Sequence, residues 1–332
     1  MRAILVLLAS LFAAPPANAA IVYNRGTANR SVYIANDDGT GSRKLTAGES
    51  PHISPDGQAV IYVVDEGDGE PELREIPAAG GESKLLVKPF QYGSFAWSAD
   101  GRYVAVESYR LNHTPNLVLV DRTAGTTRTV AKGTFYGATF SPDSTQLLYA
   151  RTSQKNALFP KSNLEVVPTA GGTPRVLFSD GHALYPLWGP KQIAFSRWQK
   201  PPRKGDAWKL NLWLVNFDGS GRRQLTHDKP GRFLDGLTPT EFSADGTRLL
   251  TQFGGQDTTY VVTVDPATGK EKVIGSKSEG FFATGLSADG STIIGSSGGF
   301  EWPGPAHIVT APYTGGKPAT LIARGDSPSW NR

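Results

Sequence analysis

An all-β fold of repeated strand-and-turn units, a β-propeller, is predicted by three features of this sequence. The first is a motif written again and again: Ile53-Ser54-Pro55-Asp56-Gly57, Trp97-Ser98-Ala99-Asp100-Gly101, Phe140-Ser141-Pro142-Asp143-Ser144, Phe242-Ser243-Ala244-Asp245-Gly246 and Leu286-Ser287-Ala288-Asp289-Gly290. Two degenerate copies, Trp188-Gly189-Pro190-Lys191 and Ser329-Trp330-Asn331, complete the set. The position of Ser54 recurs with gaps of 44, 43, 48, 54, 44 and 42 residues, the spacing of propeller blades. The second feature is composition. Gly 38 and Pro 24 in 332 residues, with almost no 3.6-residue periodicity, favour turns and strands over helices. The third is the β-branched and aromatic run after each motif, such as Ala59-Val60-Ile61-Tyr62-Val63-Val64 or Tyr103-Val104-Ala105-Val106, which suits a buried strand.

Each element has a local reason. The large apolar residue ends an inner strand. Pro, Asp and Gly then fit successive positions of a tight turn, so the chain reverses as a hairpin with a bulge. Second strands are expected at 21–24, 59–64, 103–108, 147–151, 192–197, 248–253 and 292–296. Third strands follow, as in Leu117-Val118-Leu119-Val120 or Leu212-Trp213-Leu214-Val215. Gly-rich turns such as Asp218-Gly219 lead to short outer strands such as Gln224-Leu225-Thr226. Ile21-Val22-Tyr23 has no motif before it, and Ser327-Pro328-Ser329-Trp330 has no strand after it. The two ends are expected to complete one blade, which removes a free edge. The expectation is a single seven-bladed β-propeller over residues 20–332, with four-stranded antiparallel blades and a ring closed by pairing of the N- and C-terminal strands.

Residues 1–19 read as a secretory signal: Arg2, an apolar run over 3–14 too short to span a bilayer, and the small-x-small site Ala17-Asn18-Ala19. No second hydrophobic span follows, so a secreted or periplasmic protein without a transmembrane segment is expected, and a monomer. With Cys 0, disulfides, zinc–thiolate sites and a lipid-anchored cysteine are excluded. A formal charge of +4 is far from the charge runs of a nucleic-acid arm, and no nucleic-acid partner is expected.

The run of W/F-S-P-D-G, strand, L-x-x-V, D-G or G-G, and L-T resembles the PD40 repeat family, the propeller of TolB-like proteins. The resemblance covers essentially all of the mature chain. It implies the fold directly and function only through sites placed on it. The pattern departs from TolB itself, which joins a six-bladed propeller to a separate N-terminal α/β domain.

Alternating strand direction puts both kinds of tight turn on one face of a blade. The second-to-third strand loops and the connectors between units share the other face. That second face carries nearly all the length variation, which is where recognition usually sits. Its most distinctive loop holds Arg197, Trp198, Lys200, Arg203, Lys204, Trp208 and Lys209, and the next connector holds His227, Arg232 and Phe233. Neighbouring segments add Tyr109, Arg110, His182 and Tyr185. Mixed basic and aromatic residues suit a carboxylate, a sugar or an acidic protein surface. The bland alternative is a solvated loop pinned to the disc by its tryptophans. The expected partner is a protein or glycan in the cell envelope or outside the cell.

Catalytic signals are weak. Gly295-Ser296-Ser297-Gly298-Gly299 matches G-x-S-x-G, but it is expected in a blade loop with no helix after it, unlike a nucleophile elbow. Prolyl-oligopeptidase-type enzymes carry similar propellers joined to a hydrolase domain, which is not expected here. The five histidines fall in different units, and neither a metal nor another cofactor is expected. Seven-bladed oligogalacturonate-lyase-like enzymes are also similar in architecture and hold a metal with histidines at the funnel. That resemblance would point to His52, His182 and His227. It carries the alternative function, a polysaccharide lyase or hydrolase acting at the central funnel.

Overall fold

The computed structural model describes residues 20–27, 29–65, 67, 70–88, 94–108, 113–152, 161–179, 181–256, 258–278, 280–299 and 302–331. The expected signal segment, Tyr109 and Arg110 lie outside the described residues. The chain opens with β1 (Ala20–Arg25), β2 (Ser31–Asn36) and β3 (Arg43–Ala47). Six runs of four strands follow. The first two are β4 (Glu49–Ile53), β5 (Ala59–Val64), β6 (Glu72–Pro77) and β7 (Lys84–Val87), then β8 (Phe95–Trp97), β9 (Tyr103–Ser108), β10 (Asn116–Asp121) and β11 (Thr126–Lys132). Next come β12 (Thr134–Phe140), β13 (Gln146–Thr152), β14 (Asn163–Pro168) and β15 (Arg175–Ser179), then β16 (Ala183–Trp188), β17 (Ile193–Gln199), β18 (Lys209–Val215) and β19 (Arg223–Gln224). The last two runs are β20 (Asp235–Phe242), β21 (Leu249–Gly254), β22 (Thr259–Val264) and β23 (Glu271–Ile274), then β24 (Phe282–Leu286), β25 (Thr292–Gly299), β26 (Trp302–Pro312) and β27 (Ala319–Ile322). The final strand is β28 (Asp326–Trp330).

Among the described residues these strands make five four-stranded sheets and one eight-stranded sheet. The larger sheet is two runs joined where β18 meets β20 in parallel, Lys209 opposite Asp235 and Leu210 opposite Gly236. Every other strand pair is antiparallel. The strands from the two ends of the chain share a sheet: Ile21 faces Trp330 and Val22 faces Ser329. The Asn331 side chain accepts from the Ala20 amide, and the Asn331 amide donates to the Ala20 carbonyl.

The recurrent motif folds the same way each time. The Ser54 hydroxyl donates to Asp56 at 2.5 Å and accepts from the Ala59 amide at 2.9 Å, while the Gly57 amide donates to the Ser54 carbonyl. The same serine–aspartate pair forms at Ser98–Asp100, Ser141–Asp143, Ser243–Asp245 and Ser287–Asp289. The serine is buried at Ser54, Ser98, Ser141 and Ser243 and half-buried at Ser287, so its hydroxyl must be satisfied locally, and the aspartate two residues on does this.

Apolar clusters fill the spaces between successive units. One joins Leu212, Leu214 and Leu225 to Leu237, Phe242 and Leu249. Another joins Ile21, Tyr23 and Ala35 to Ile294, Ile308 and Ile322, so the last full run packs on the sheet that holds both chain ends. Inner strands also touch their neighbours. The Ile53 amide donates to Ser329, the His52 and Phe95 rings meet at 4.7 Å, Trp188 donates to Thr139, and Leu286 donates to Glu241.

Inner strands share an irregularity. Register slips occur between Glu49 and His52, Phe135 and Ala138, Leu184 and Leu187, Pro239 and Glu241, and Ala283 and Gly285. Ser50, Gly137, Tyr185 and Ser327 hold positive φ at these bulges or their counterpart in β28. A bulge re-aims a side chain out of the two-residue alternation. The G-x-S-x-G stretch, expected in a loop, lies instead inside β25, where Ser296 faces Ile308 and Ser297 faces His307. A Cβ on Gly295 would sit 2.1 Å from the Phe282 carbonyl. This glycine is needed for the close approach of β24, which explains it without an elbow.

Candidate functional site

The loop between β17 and β18 and the connector before β20 are tied into one structure. Asn211 is fully buried. Its amide nitrogen donates to Gln199 at 2.8 Å and to the Asp228 carbonyl at 3.0 Å, and its oxygen accepts from Thr226 and from the Asp228 amide. All of its capacity holds the connector against the strand, as a buried carboxamide requires. The Ala207 amide donates to the Gly231 carbonyl at 2.8 Å. Lys209 is buried and pairs with Asp235 at 2.5 Å, its ammonium also 5.2 Å from the Phe253 ring centre.

Together these elements bound a cavity of about 700 Å³. Trp198 and Leu210 line it from one strand pair, Arg232, Leu234 and Asp235 from the connector. Tyr185 on β16, Thr238 on β20 and Phe282 on β24 bring three inner strands to its wall. The cavity therefore opens on the loop face and reaches the inner strands of three units. Tyr185 points there because its backbone bulges, with φ 48 between buried Leu184 and Pro186. Burial raises the pKa of its phenol, with Tyr136 and Glu107 adding to the effect, so the hydroxyl stays protonated and serves as a neutral wall. Arg232 is exposed and has no ion-pair partner among the described residues. Phe233 and Phe282 are 56% and 51% exposed and Tyr185 is 36% exposed. Two of the six exposed large hydrophobic residues among those described, Tyr185 and Phe282, thus line this one site, and clustered exposed apolar groups mark interaction surfaces.

The expected site residues divide. Trp198, Arg232 and Tyr185 line the cavity, and Phe233, between Arg232 and Leu234 in the chain, does not. Lys209 is structural. Trp208 is half-buried with its ring 5.5 Å from that of His182, and Arg197 lies 5.3 Å over the ring of Trp213. Lys200, Arg203, Lys204 and His227 are exposed and do not line it. Phe282, Gln252, Thr238 and Asn211 were not among the expected residues. Phe281-Phe282 carried a signal: alternation in a strand buries one phenylalanine and leaves the other outside.

His52, His182 and His227 are not brought together. Among the described residues no three His, Asp or Glu side chains gather within metal-ligating reach. His52 stands among the inner strands against Phe95. Water reaches its ring, but surrounding protein disfavours the charged form and lowers its pKa to about 4. No helix among the described residues is long and apolar enough to cross a membrane.

No family model matches the chain. Solved structures with similar folds include TolB from Acinetobacter baumannii, at 14% identity over 93% of this chain and 82% of that one with a TM-score of 0.52. The β-propeller domain of the Trilobed protease from Pyrococcus furiosus aligns at 13% identity over 93% of both chains, TM-score 0.65. Oligogalacturonate lyase from Vibrio parahaemolyticus aligns at 14% identity over 92% and 85%, TM-score 0.60. In sequence, Tricorn protease homolog 1 of Streptomyces coelicolor is 35% identical over 92 residues, which is 25% of this chain and only 8% of that protein. By fold, the chain is a β-propeller similar to those of TolB and the Trilobed protease.

Proposed function

We propose that this protein is a non-catalytic binding propeller that takes a segment of a partner macromolecule, a protein or a glycan, into the cavity between Tyr185, Trp198, Arg232 and Phe282. The observation that carries the reading is the convergence of three aromatic rings and an unpaired guanidinium on one cavity at the loop face. Half-exposed phenylalanines suit the side chains of a polypeptide better than the hydroxyls of a sugar, so a polypeptide is the favoured partner. The scaffold is read as seven four-stranded blades closed into a ring by β1 and β28. Residues 1–19 are read as a removed export signal, which would place a monomer in the envelope or outside the cell.

Peptide and glycan arrays would supply ligands. The best one is then titrated against wild type, Trp198→Ala, Arg232→Ala and Phe282→Ala, with Arg203→Ala/Lys204→Ala as a loop-tip control. Cavity variants should weaken binding about 30-fold or more, the scale of an anchor residue. The control should change little beyond its salt dependence. Equal binding by all variants would move recognition off this cavity.

A second reading, a polysaccharide lyase or hydrolase at the funnel, rests on His52. It is an accessible imidazole among the inner strands, neutral and so able to accept a proton, though its pKa of about 4 makes it a weak base.

A further inference from the structure

A second cavity, of about 740 Å³, lies at the seam where the chain ends meet. Three arginines, Arg25, Arg30 and Arg324, line it with one carboxylate, Asp326. Arg30 is neutralised locally, by Asp326 and by Glu49 at 3.4 Å. Arg25 and Arg324 have no carboxylate partner among the described residues.

Arg25 is built in. Its guanidinium lies 4.9 Å over the ring of Tyr33 and 5.4 Å from that of Tyr23, and donates to the carbonyls of Arg324 and Ala323. These contacts fix its plane without cancelling its charge. Arg324 has the opposite peculiarity. Its φ is 59, a conformation costly for any side chain but glycine. Gly325 and Gly48 are each pressed against a tyrosine ring, Tyr23 and Tyr62, but at the earlier turn the positive φ falls on Gly48 itself, at 135, and at the seam it falls on Arg324. An arginine is kept where glycine would relieve strain, beside a second arginine whose charge is held open.

We propose that this seam cavity is a binding site for a small organic anion, held by carboxylate groups against Arg25 and Arg324. A guanidinium fork matches a carboxylate in two parallel hydrogen bonds, and two forks beside one cavity fit a ligand with more than one such group. Pro305 and Ala306 supply apolar wall for its carbon skeleton. The site is separate from the aromatic cavity and does not depend on that reading.

The test is calorimetric titration of the full chain with citrate, glucuronate and the dipeptide Glu-Glu at low salt, with chloride as control. Arg324→Gly is the key variant, because glycine accepts a φ of 59 and the fold should be kept or slightly stabilised. Saturable binding of at least one probe, weakened ten-fold or more in Arg324→Gly at an unchanged or higher Tm and weakened again by 0.5 M salt, supports the site. Arg25→Gln should weaken it likewise. Binding of none of the three probes, or binding unmoved by Arg324→Gly, overturns it.

Discussion

The side-chain amide of Gln252 grips the backbone on both sides of Phe282. Its nitrogen donates to the Phe281 carbonyl at 3.1 Å and its oxygen accepts from the Ala283 amide at 3.1 Å. Gln252 belongs to β21 and Phe282 to β24, so one carboxamide bridges two units and presents the ring to the cavity. The two residues should behave oppositely when changed. Gln252→Ala leaves buried backbone groups unpaired and should lower stability by about 2–6 kcal/mol, about 1–3 for each lost partner. Phe282→Ala removes a half-exposed ring and should cost about 1 kcal/mol or less in stability while weakening ligand binding. Urea unfolding beside ligand titration separates the two. A large stability loss in Phe282→Ala would mean that the ring is core, not site.

Gly236 and Gly254 face each other in register yet should respond differently to one added carbon. A Cβ on Gly236 would lie 2.2 Å from the Leu210 carbonyl, at a φ of +149, and would break the contact that joins β18 to β20. A Cβ on Gly254 meets nothing within 4 Å. Gly236→Ala should destabilise by about 3 kcal/mol or more, whereas Gly254→Ala should be neutral or stabilise by about 0.5 kcal/mol. Equal melting temperatures for the two variants would contradict the tight seam.

Much of the fold was legible because the repeat encodes it locally. Serine, aspartate and glycine at fixed spacing close each hairpin through their own hydrogen bonds, so the second strands fall where the motif puts them. The degenerate copy at Gly189 is explained only by packing. A Cβ there would lie 2.5 Å from the Phe242 ring, which enters from the next unit and excludes serine. The site was half legible. Trp198, Arg232 and Tyr185 stood out by residue type on a variable segment. Phe282 and Gln252 did not, because their roles depend on which inner strand faces which loop. Conversely, the loop-tip cations Arg203 and Lys204 drew notice by composition, but both are exposed and neither lines the cavity.

The serine–aspartate turns make the fold acid-sensitive. The Ser287 hydroxyl and the Ser291 amide hold the Asp289 pKa down at about 2, and Arg102, with the Ala124 amide, holds Asp121 at about 2. Asp245 and Asp143 are lowered too, first by Ser243 and Ser141. A carboxylate depressed in the folded state stabilises above its unfolded pKa, near 4, and loses that stabilisation as pH falls through the folded value. Tm should therefore drop between about pH 4 and pH 2. Asp289→Asn should start lower at neutral pH and decline less steeply, because one of the linked protons is gone. An identical Tm–pH slope in the variant would remove the turns from the explanation.

His52 supplies a test at higher pH and bears on the funnel. Its pKa of about 4 lies below the ordinary 6.5, so the folded state favours the neutral ring. The sign follows: this contribution is complete above about pH 6.5 and is lost as pH falls toward 4. His52→Gln keeps a polar side chain and removes the titration, so it should flatten the stability curve between pH 6.5 and 4 while leaving the lower-pH decline intact. Histidine-selective NMR gives the direct measurement, with the His52 resonance titrating near pH 4. A His52 midpoint near 6.5 would show that water, and not the inner strands, sets its environment. It would also make His52 a stronger general base at neutral pH, which would favour the funnel reading.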